Sequence, residues 1–242
     1  MAQTLAIVRR QLIQITKDIW TLILLIATPL LVLLFSNFLY LNHAEPHSEQ
    51  WLYQSCALLC ITAFIFPCLT GAVSILRDKK LGTLEQSLAS PVSRGKFVLG
   101  YLFGIGTIIA VQTIILLLFA IFIFQWPLSW TLILLYILLI IEALAAIEIG
   151  FFIAVIIKNA LCIFLSIAFA SVLQMIHWSG MPGWRQAVSI ITPVYYSVEG
   201  GAYMILHRYL LLGFFINAAA LIVFIFLFFI LNIWALQKIR RV

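Results

Sequence analysis

Two carboxylates, Glu142 and Glu148, stand inside an apolar run that spans 131–157. An acid so placed could bind a proton, line a path for a substrate or ion, or hydrogen-bond a neighbouring helix in its neutral form. The charged form costs roughly 2.5–3.5 kcal/mol at the centre of a bilayer. No Lys or Arg lies within any of the long apolar runs to offset that cost, which argues for protonation. The separation of six positions turns the two acids about 120° apart on a helix, so they are not an acid–base pair on one face. A third acid, Glu199, follows Tyr195 and Tyr196 in a mixed aromatic stretch. Cys56 and Cys60 stand at i, i+4, but no His or carboxylate lies near them in sequence to complete a metal shell, and they read as buried thiols. His43, His47, His177 and His207 are scattered without zinc-like spacing. No Ser/His/Asp set, H-E-x-x-H or paired-Asp motif lies in the runs, which ranks a membrane-embedded enzyme low.

The elements that must hold these acids follow from composition. The chain has 242 residues, 65% hydrophobic and 9% charged. Soluble domains carry roughly a quarter charged residues. Such a surface needs lipid around it, and in lipid the backbone must be satisfied internally. The runs are continuously apolar rather than alternating, so they predict helices and not a barrel. Six spans are expected, at 19–41, 51–76, 97–124, 131–157, 160–176 and 211–236, each near the roughly 20 residues a crossing helix needs. Pro29, Pro67 and Gly71 read as bends. The first run is too long for a signal core and lacks a small-x-small cleavage site, so it is expected to stay as an anchor.

Residues 1–18 place Leu5, Val8, Leu12 and Ile15 on one stripe, with Arg9, Arg10 and Lys17 elsewhere. That suits either a helix lying along the bilayer face or an extension of the first span. With six spans, every Lys and Arg except Arg185 and Arg208 falls on one side. The positive-inside rule makes that side cytoplasmic, with both termini and the island 77–96 on it. The net charge of +6 is thus a topology signal, and no aromatic-interleaved basic patch points to nucleic acid. Within the island, Thr83 and Gln86 read as a capping box, Glu85 suits the first turn, Ser90 and Pro91 end the helix, and Ser93 caps the third span.

The island and its flank, LRDKKLGTLEQSLASPVSRGKFVLGY, resemble the loop between the second and third spans of type-2 ATP-binding-cassette permeases. Gly82, Thr83, Leu84, Glu85, Gln86, Pro91, Ser93, Arg94 and Gly100 carry the match. Far away, ITPVYYSVEGGAY resembles the segment before the last span in that family, through Pro193, Tyr196 and Glu199. Thr192 stands where the family often has Asn, and Ala202 where a basic residue is common. The resemblance implies an all-α membrane protein of one permease domain over 1–242, with an amphipathic interfacial helix at 1–18, a coupling helix in 77–96 and re-entrant helices in 177–210. It implies that Gly82–Gln86, Pro91 and Arg94 engage a separate ATPase subunit in two copies, which holds ATP and magnesium. A second copy of this permease, or a related one, would complete the complex. The chain itself has no G-x-x-x-x-G-K-[ST] loop for ATP and needs no cofactor of its own. Glu142, Glu148, Glu199 and Tyr196 are the candidates for the substrate path and its gating. The expected activity is export of an amphiphilic or hydrophobic substrate — drug, lipid, peptide or haem-like — across a bacterial cytoplasmic membrane. An ion-gradient-driven transporter or channel working through Glu142 or Glu148 is the alternative.

Overall fold

The computed structural model describes residues 2–38, 48–89, 92–157, 190, 192–206 and 210–239. The expected fifth span at 160–176, most of the segment 177–192 and Pro91 lie outside the described residues. Among the described residues every regular element is helical, and four helices are long and apolar enough to cross a membrane.

The chain opens with α1 (Ala2–Lys17), followed by α2 (Ile19–Leu22), a π-helical turn (Ile23–Ala27) and α3 (Thr28–Ser36). The expected first span is therefore helical but interrupted. Pro29 supplies no N–H for the carbonyl four residues back, and its ring crowds that carbonyl. The turn before it widens, and the Thr28 N–H reaches back five residues to the Ile23 carbonyl.

α4 (Glu49–Lys80) overruns its expected span at both ends and is capped by Ser48, whose hydroxyl accepts from the Trp51 N–H at 3.2 Å. It runs unbroken through Pro67. Gly71 is a contact point: a Cβ there would meet the Ile147 carbonyl oxygen at 2.7 Å. After α4 come α5 (Thr83–Ala89), α6 (Arg94–Phe124) and α7 (Thr131–Ile156). Gln125, in the left-handed region at φ 49°, ends α6. α8 (Pro193–Ile205) and α9 (Leu210–Ile239) complete the described chain.

Two pairings organise the bundle. α4 and α7 approach backbone to backbone, because Gly71 faces Ile147 and Gly150 faces the Cys68 carbonyl. α1 lies along α6, with Ile7 over Gly100 and Gln11 over Gly104. Lipid tails are as apolar as Leu, so helix pairing in a membrane rests on close packing at small residues rather than on a hydrophobic drive. The buried face of α1 is accordingly Gln11 and Ile15, while Leu5 points outward. Two apolar clusters result. One surrounds Cys56, Phe64, Phe124, Trp126 and Leu135, where the Trp126 indole donates to Ser55 at 3.1 Å. The other surrounds Ile15, Phe97, Tyr101, Phe151 and Leu236 at the opposite end. α9 turns Phe215, Val223, Phe226 and Ile230 outward.

Candidate functional site

At the end where α4 stops, Leu81 and Gly82 reverse the chain into α5. Gly82 has φ 68°, a left-handed conformation that a Cβ disfavours, and its N–H bonds the Lys79 carbonyl at 3.2 Å. The expected capping box does not form. Thr83 lies within the helix and donates to the Asp78 carbonyl at 3.3 Å, while the Gln86 N–H bonds the Gly82 carbonyl. Ser93 precedes α6 but makes no side-chain cap either. Of the island's candidate residues, Leu84 is buried, whereas Glu85 and Gln86 are exposed on α5 and Arg94 begins α6.

α5 is fastened by Asp78, in the last turn of α4. Asp78 is only 1% exposed. Arg10 of α1 pairs with its carboxylate at 3.2 Å, and the Tyr101 hydroxyl of α6 donates to it. The Gln14 amide lies between Asp78 and Arg77: it donates to Asp78 at 3.3 Å or, turned over, accepts from Arg77 at 2.8 and 3.0 Å. Arg10 also donates to Ser87 of α5 at 3.3 Å, and Arg77 pairs with Asp18 at 3.1 Å. One buried carboxylate thus joins α1, α4 and α6 beside α5. Asp78 was not among the candidate residues that the sequence suggested. The signal was present, because Asp78 continues the buried positions Gly71, Ser74 and Ile75 along one face of α4.

The intramembrane acids separate as their spacing requires. Glu148 faces α9, where Asn232 donates to both its carboxyl and its backbone carbonyl, the latter at 3.0 Å. Glu142 faces α8 and α4. It is fully buried, with Cys56 and Cys60 beside it. The Ser197 hydroxyl is turned towards it but donates to the Pro193 carbonyl at 3.4 Å, and neither Glu142 oxygen is hydrogen-bonded. α8 reaches this depth because Gly200 and Gly201 let it close on Leu138, Asn217 and Cys56.

Glu199 lies further along α8, beside Tyr53. Burial holds its carboxyl above the usual carboxylate range, and a hydrogen bond from Tyr53 opposes that rise. Tyr53→Phe removes the group that stabilises the anion, so Glu199 is expected to keep its proton to higher pH. The protonated-carboxyl infrared band that Glu199→Gln lacks reports this, and an unchanged titration in Tyr53→Phe would refute it. Tyr196 packs its ring on Tyr195 and Phe224, at 5.4 and 6.0 Å between centroids. The structure therefore separates two groups: α5 with Asp78 at one end, and Glu142, Glu199 and Tyr53 around α8.

A family model described as ABC-2 type transporter matches residues 2–206. No curated protein matches the chain.

Proposed function

The chain belongs to the ABC-2 type transporter family, a multi-pass membrane permease subunit of an ABC transporter, and on that premise we propose that a separate ATPase subunit docks on α5. Glu85 and Gln86 form the contact face, Gly82 sets the entry turn, and buried Leu84 fixes α5 to the body. The observation that carries this reading is the Asp78 junction. A seven-residue helix cannot hold itself in water. Here it is held by ties to α1 and by its tight turn from α4, so force applied to α5 reaches several helices at once.

In this reading the chain crosses the membrane six times, with α5 and both termini in the cytoplasm and α1 at the bilayer face. Two permease copies stand on two ATPase subunits, which bind and hydrolyse ATP with magnesium. The outward Phe and Ile side chains of α9 meet lipid or the second copy. Export of an amphiphilic or hydrophobic substrate fits an interior in which, among the described residues, Glu142, Glu148 and Glu199 form no ion pair. The membrane is the cytoplasmic membrane of a bacterium.

Glu85→Arg tests the docking. Reversing an exposed charge leaves the fold intact, and the variant is expected to lose the ATPase subunit on co-purification at least tenfold, about 1.4 kcal/mol of binding. Retained ATPase with retained transport places docking elsewhere. Transport that persists with no ATPase present supports the ion-gradient alternative through Glu142 or Glu148.

A further inference from the structure

The loop that carries α5 is covalently joined to α4 and α6 alone, yet the last turn of α4, at its base, also grips a third long helix. Lys79, in the last turn of α4, donates from its ammonium to the carbonyls of Ala154 and Val155 of α7, the second at 2.8 Å. These belong to the last turn of α7, where carbonyls have no partner within the helix. The Ile153 carbonyl takes the Ile157 N–H, and Lys79 takes the next two. A cation at this position also meets the negative end of the helix dipole.

We propose that Lys79 is a positioning residue for transport: it clamps α7 to the base of α5, so that motion delivered to α5 moves α7 as well as the two helices flanking it in the chain. This rests on the docking reading above. The geometry makes α4 and α7 one body. Backbone contacts at Gly71 and Gly150 lock them along their length, and Lys79 closes the end nearest α5. α7 bears both intramembrane acids, Glu142 towards α8 and Glu148 towards Asn232 of α9. The clamp therefore links the driven end to the helix that holds the polar centre. A lysine present only as a topology signal would reach for water or lipid headgroups rather than fill two helix-end carbonyls.

The test measures distances in the intact complex of two permease copies and two ATPase subunits, in nanodiscs, without nucleotide and with trapped ATP. Spin labels go on Leu81→Cys at the base of α5, or on Ile156→Cys at the end of α7, in a cysteine-free background; both positions are exposed. In the otherwise native complex the label-to-label distance between copies is expected to change on ATP trapping at both positions. In Lys79→Met the change at Leu81 persists while that at Ile156 shrinks at least about twofold, and Lys79→Arg restores it. An undiminished change at Ile156 in Lys79→Met overturns the clamp. No ATP response at Leu81 in the native complex overturns the docking reading, and the clamp with it. Should Lys79→Met not assemble, the Leu81–Ile156 distance within one chain decides: the clamp requires it to stay constant through the cycle, and a change on ATP trapping refutes it.

Discussion

Gly150→Ala is expected to destabilise the folded chain by about 3 kcal/mol or more, and Gly150→Val to prevent its accumulation. A Cβ on Gly150 would lie 1.9 Å from the Cys68 carbonyl oxygen and 2.8 Å from its carbon. These are backbone atoms of α4, so no side-chain rotation relieves the overlap. The helices must separate, and Gly71 against Ile147 loses its contact at the same crossing. Because packing rather than hydrophobic drive holds helices together in lipid, little compensates. Thermal unfolding in detergent should show the loss; about 3 kcal/mol corresponds to roughly 6–12 °C for a chain of this size. Gly95→Ala is the control. Its Cβ would meet only the Ile233 and Phe229 side chains, at 3.6 and 3.9 Å, and the change gains up to about 1 kcal/mol of helix propensity. A Gly150→Ala protein that unfolds with the wild type would refute the close crossing.

Asp78→Ala is expected to cost about 2–3 kcal/mol and to loosen α1 from α5. Most of the cost comes from Tyr101, which is fully buried and loses the acceptor of its hydroxyl. Arg10 contributes less, because its side chain is 37% exposed and turns to water when the carboxylate is gone. A double-mutant cycle with Tyr101→Phe separates the two: the phenol-to-phenyl change should cost far less once Asp78 is already Ala. Additive losses would mean that Tyr101 and Asp78 act independently. Asp78→Asn should fall between, since the amide oxygen still accepts from Tyr101 while the ion pair to Arg10 is lost. Proteolysis at the α1 end should quicken in the order wild type, Asn, Ala.

The sequence made α5 and the four long apolar helices of the described residues legible. Continuous apolar runs cross as helices because an unpaired backbone cannot lie in hydrocarbon, and α6 and α7 accordingly end at Phe124 and Ile156, within a residue of expectation. The short polar helix at Thr83–Ala89 stood out because it was polar among oil. Its cap was misread. A Ser or Thr three residues before Gln is a good N-cap pattern in isolation, but the tight α4–α5 turn at Gly82 leaves the Thr83 hydroxyl within reach of the Asp78 carbonyl instead. α4 stays helical through Pro67, and the close approach of Gly71 to Ile147 is a contact that only the packing shows.

By itself, then, the chain's chemistry determined that it lies in a membrane, where the four long apolar helices of the described residues run, which family pattern it carries, and that Glu142 and Glu148 point different ways. The tertiary structure decided the partners: Asp78 as the tie among three helices, Lys79 on the end of α7, and Asn232 beside Glu148 from 84 residues away. The reason is physical. Solvation by lipid is a property of each segment alone and is written into its composition. In lipid, however, apolar faces are nearly interchangeable, so the choice of neighbour falls to a few glycines and polar side chains far apart in the chain.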